Sequence, residues 1–115
     1  MSAELKDAWN KVIHSLEDNF DPHAGRKLYR RFCKQNLQAI KVHCLPYHLF
    51  AGPIPEGDLD NWQAKVDTLR PYGIQALGSE GKYDKVATDF IEFLKQEDTF
   101  TYSVLFLVKG TKAPA

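Results

Sequence analysis

Two strands and four helices, an α+β fold, follow from three observations on this 115-residue chain. Phe100, Tyr102, Val104, Phe106 and Val108 alternate with a second set holding Leu105 and Leu107 beside Thr101 and Ser103, which predicts a strand over about 99–109. Leu37 to Leu45 alternates too, with Ile40, Val42 and Cys44 on one face and Lys41 and His43 on the other, which predicts a strand over about 37–45. The remaining apolar residues recur at helical spacing in four separate segments.

In chain order, Leu5, Trp9, Val12, Ile13, Leu16 and Phe20 place a first amphipathic helix over roughly the first twenty residues. Asp21-Pro22 starts a second, with Asp21 as N-cap and Pro22 in the first turn, running to about Gln35 and ending at Asn36 in a left-handed conformation. Its buried stripe is Ala24, Leu28 and Phe32, with Cys33 beside it, and Arg26, Lys27, Arg30, Arg31 and Lys34 lie on the exposed side. The first strand ends at Pro46, which donates no ladder hydrogen bond. Ala51 to Gly57 forms a loop, and Leu59, Trp62, Val66 and Leu69 mark a third helix that Pro71 stops. Around Ile74, Ala76 and Leu77 a short helical turn precedes glycines. Tyr83, Val86, Phe90, Ile91 and Leu94 then define the fourth helix.

The composition is that of one ordinary globular domain, residues 1–115, with 43% hydrophobic and 26% charged residues. Fifteen basic residues balance fifteen acidic ones, so no global field favours nucleic acid or an anionic membrane. The C-terminal apolar run is too short to span a bilayer, and the acidic, amphipathic start is unlike a signal peptide. Cys33 and Cys44 are therefore expected to be reduced, buried thiols in a cytoplasmic protein. His43 and Cys44 point to opposite sides of a strand and share no metal-ligand spacing with His48, so no metal site is expected.

The strand at 99–109 poses a problem of its own. A strand apolar on both faces belongs inside a layered sheet with a neighbour on each flank, and this chain supplies one such neighbour.

Five stretches carry a family resemblance: Phe20-Asp21-Pro22-His23-Ala24-Gly25-Arg26-Lys27-Leu28-Tyr29, Asn36 to Val42, Tyr47-His48, Asn61-Trp62-Gln63-Ala64-Lys65, and Phe100-Thr101-Tyr102 through Lys109-Gly110-Thr111-Lys112. In this order and spacing, from about Leu16 onward, the chain resembles the C-terminal portion of class I S-adenosylmethionine-dependent methyltransferases. The resemblance implies that the two strands form an antiparallel pair packed with the helices. It also implies that the closing strand sits between two others in a Rossmann-like sheet. The complete fold binds S-adenosylmethionine through a glycine-rich loop in its N-terminal half. The seven glycines here stand singly, at 25, 52, 57, 73, 78, 81 and 110, so no cofactor is expected for this chain alone.

Substrate-side candidates are Tyr47 and His48, just past the first strand, where open α/β folds place ligand-contacting residues. Arg26 is suited to a carboxylate or phosphate, or to an ion pair with Glu17 or Asp18. Trp62 is either core or, on a helical insertion acting as a lid, a ligand contact. No catalytic residue stands out. An unpaired apolar strand calls for a partner, which is expected to be a second copy pairing through the 99–109 edge in a homodimer, or another chain supplying the missing strands.

Overall fold

The computed structural model describes residues 1–16 and 21–114. The element order is α1 (Ala3–His14), α2 (Ala24–Lys34), β1 (Gln38–Ala51), α3 (Glu56–Leu77), α4 (Glu80–Leu94) and β2 (Phe100–Thr111). The two strands form one antiparallel two-stranded sheet, with Gly52 bonded to Thr99 at one end and Leu37 against Gly110 at the other. Contacts gather into two units, residues 1–20 with 50–101 and residues 21–49 with 102–115.

The first unit holds α1, α3 and α4. Ser2 caps α1 by accepting the Leu5 N–H, and Ser79 caps α4 by accepting the Lys82 N–H. Leu5, Val12, Ile54, Val66, Tyr83, Phe90, Ile91 and Leu94 make the core. Trp9 stacks on Phe90 at 4.5 Å, and Trp62 meets Phe90 edge-on at 5.3 Å. Across the α3–α4 hairpin, Arg70 donates to both carboxylate oxygens of Asp84 at 3.1 and 3.2 Å.

The second unit holds α2 against the strands. Phe106 packs on Gly25, and Phe32 and Leu37 pack on Gly110, so one face of β2 carries α2 over its last residues. Val42, Leu45, Tyr47, Leu49, Val104, Leu105 and Leu107 stay exposed, and so do Cys33 and Cys44, whose sequence positions predict burial, because no further layer covers this unit's described residues. Among the described residues of this unit, none is buried. The β2 segment therefore does not bury both faces as its sequence predicts. Even in the stretch it shares between the units, Phe100 is 62% and Tyr102 59% exposed.

Several boundaries move. α2 begins at Ala24 with His23 at the N-cap, because Asp21 spends its carboxylate on the His23 N–H and on Lys27 before the helix starts. Asn36 does follow the helix at φ 55. β1 runs through Pro46 to Ala51, since a strand with an outer flank tolerates proline there. It has 14 residues against 12 in β2, and Ala39 and His48, both at φ 50, mark bulge-like distortions that absorb the excess. α3 continues through Pro71 to Leu77, where Gly78 ends it at φ 92. The helix loses the bond to the Asp67 carbonyl, but packing of Gly73 and Ile74 beyond the proline holds the last turns.

Candidate functional site

β1 runs into α3 through a strand-to-helix turn, a place where backbone N–H groups can meet an anion when they are free. Its sequence is Gly52-Pro53-Ile54-Pro55. The prolines have no N–H to offer. The Gly52 N–H donates to the Thr99 carbonyl at 2.7 Å, and the Ile54 N–H donates to the Leu94 carbonyl at 3.2 Å. The buried Thr99 hydroxyl lies within hydrogen-bond reach of the Gly52 and Gln96 carbonyls. Every donor of this turn is absent or committed, so the turn does not fit a cofactor's phosphate or ribose. Gly25, Gly73 and Gly110 are covered by side chains of the chain itself.

Tyr47 and His48 lie inside β1 rather than beyond it, because the strand passes Pro46. Their rings stack at 3.8 Å with Tyr47 half exposed, an arrangement that the left-handed backbone at His48 permits. Arg26 is exposed on α2 and makes no ion pair among the described residues; Glu17 and Asp18, its expected partners, lie outside them. Arg26, Tyr47 and His48 belong to the second unit, and Trp62 belongs to the first. Trp62 is half-buried against Phe90, with the Lys65 ammonium 4.5 Å over its ring, which is a core position with a cationic cover.

Beside Trp62 opens an apolar groove of about 720 Å³, lined by Trp9, Ile13, Leu16, Leu69 and Tyr72 with Lys65 and Thr68 at its polar points. Sequence reasoning assigned Trp9, Ile13, Leu16, Trp62 and Leu69 to helix stripes, and the stripe pattern cannot tell a filled seam from an open one.

Burial raises the Tyr83 phenol, and the shifted acidities of exposed groups follow from pairing. Lys27, then the His23 amide, hold the Asp21 carboxyl below its ordinary value, and Arg70 does the same for Asp84. A hydrogen bond with the Cys33 thiol raises the Tyr29 phenol. None of these groups forms a nucleophile–base pair with another. Among the described residues no cluster of three or more His, Cys, Asp or Glu side chains could hold a metal ion, and no helix is long and apolar enough to cross a membrane.

Charge is the property the whole-chain count conceals. Residues 21–49 and 102–115 hold eight Lys and Arg against Asp21 alone, a net of +7. Residues 1–20 and 50–101 hold seven Lys and Arg against fourteen carboxylates, a net of −7. Counting by segment would have shown this from the sequence.

No protein-family model, no curated protein and no solved structure matches this chain.

Proposed function

We propose that this chain is the C-terminal, substrate-side segment of an S-adenosylmethionine-dependent methyltransferase-like protein acting on a small molecule, inactive by itself. One observation carries the reading: among the described residues, the strand holding Val104, Leu105 and Leu107 has a single neighbouring strand, and no residue of the unit around these three is buried. Such a strand suits a sheet that continues into another polypeptide segment. The antiparallel pairing of β1 with β2, across two intervening helices, agrees with the order in that family's C-terminal part. In this reading the cofactor belongs to the missing half, and Arg26, Tyr47, His48 and Trp62 serve substrate positioning. Methyl transfer depends chiefly on alignment of the reactants, so a substrate side without an acid–base pair is compatible with it.

Calorimetry with S-adenosylmethionine is expected to give no heat with this chain alone. Co-expression with a glycine-rich N-terminal half of such a fold is expected to yield a stable complex that binds the cofactor. Micromolar binding by the isolated chain, or no complex with any such half, would contradict the reading.

The exposed apolar ribbon also favours a second reading, a non-enzymatic assembly module whose role is to pair strands. It is separated from the first by whether any complex formed through β2 binds the cofactor.

A further inference from the structure

We propose that a second copy of this chain occupies the outer flank of β2 in antiparallel register, selected by charges at the two ends of the strand. The inference rests on the reading that β2 awaits a neighbour, and it names that neighbour.

β2 enters from an acidic turn and leaves through basic residues. Glu97 and Asp98 precede it, Lys109 lies near its end and Lys112 follows it. All four are exposed, and none makes an ion pair among the described residues. Between them the strand holds no charge from Thr99 to Val108. A parallel neighbour of the same sequence would set acid on acid and base on base. An antiparallel one sets each acidic entry beside a basic exit.

Twofold symmetry narrows the register further. Residues facing each other across an antiparallel pair point to the same side of the sheet. An axis normal to the strands must therefore pass through a residue rather than between two. Through Ser103 it places Lys109 opposite Glu97 of the second copy; through Leu105 it places Lys112 opposite Asp98 of the second copy. Both registers bring apolar side chains of the two copies together, including Tyr102 and Val104 with each other in the first and Val104 with Phe106 in the second. Complementarity of the strand-end charges steers encounter and fixes orientation, and salt weakens it.

The test uses two variants of the full chain, with sedimentation velocity as the readout. Lys109→Glu with Lys112→Glu makes both strand ends acidic, and Glu97→Lys with Asp98→Lys makes both basic. Wild-type chain is expected to dimerise, with a dissociation constant that rises with salt. Each variant alone is expected to stay monomeric, and an equimolar mixture is expected to form a heterodimer. The neutral pair Glu97→Gln with Asp98→Asn serves if a reversed variant does not fold, and it should weaken the wild-type dimer about tenfold. A monomeric wild type across the dilution series would overturn the proposal, as would reversed or neutral variants that dimerise as well as wild type. Those outcomes leave the methyltransferase reading untouched, since that reading is scored by cofactor binding after co-expression.

Discussion

Tyr83 packs directly on Gly73: a Cβ on the glycine would overlap Cε2 and Cδ2 of the ring. Tyr83 is 1% exposed, and its hydroxyl donates to the Val66 carbonyl two turns earlier on α3. The α3–α4 hairpin is thus closed by an aromatic ring that needs a bare backbone beneath it. Gly73→Ala is expected to destabilise the chain by about 1–3 kcal/mol through overpacking. Tyr83→Phe removes the hydroxyl and should cost about 1 kcal/mol. Chemical denaturation of both, and of Gly73→Ala combined with Tyr83→Leu, checks the relationship: the double variant should lose less than the sum of its single variants.

Thr99 ties the β1–α3 turn to the start of β2. Thr99→Val keeps the shape and removes the hydroxyl, leaving the Gly52 and Gln96 carbonyls without it. A loss of about 1–2 kcal/mol is expected by thermal unfolding. Thr99→Ser, which retains the donor, should recover most of that loss.

Arg70 and Asp84 give the fold an acid-sensitive contact. The folded carboxyl of Asp84 titrates below its ordinary value, chiefly through its hydrogen bond to Arg70. Its contribution is therefore present above the unfolded-state value and fades as pH falls through the folded one. Asp84→Asn should be slightly less stable than wild type at neutral pH, and the difference should vanish in strong acid. Denaturation midpoints measured from neutral pH down to strong acid read this directly; a difference that widens on acidification would contradict it.

Arg26 and Trp62 separate binding from packing. Arg26→Ala is expected to change stability by no more than about 0.5 kcal/mol, since none of the described residues forms an ion pair with the guanidinium. Trp62→Ala should cost about 3 kcal/mol, because the indole is part of the cluster around Phe90. If the chain serves the substrate side of a larger enzyme, Arg26→Ala should raise KM in the reconstituted complex while its unfolding curve stays in place.

The helices and both strands were legible in the sequence because each carries its own period, and Asn36 announced the end of α2. Their limits were less so. Pro46 and Pro71 read as stops, yet one sits where a two-stranded sheet does not require its N–H, and packing around Gly73 and Ile74 overrides the other. Asp21 read as a cap but stands two residues before the N-cap His23, engaged by the His23 amide and Lys27. For the site, residue types suggested candidates without saying which would meet. Tyr47 and His48 stack within a strand, whereas Trp62 is drawn into a helical core by Trp9 and Phe90, residues distant in sequence. The groove beside Trp62 depends on how helices splay, and no periodicity encodes that.

The amide hydrogens of β2, followed residue by residue by exchange NMR across a dilution series, test the central claim most directly. In an antiparallel ladder alternate N–H groups point to each flank, so β1 can protect one set. The outward-pointing set from Ser103 to Val108 is expected to gain protection as concentration rises, or when a strand-supplying partner is added, together with slower exchange in the unit that holds no buried residue. Outward amides that exchange at one unchanging rate at every concentration and with every partner, on a chain that stays folded, would contradict it.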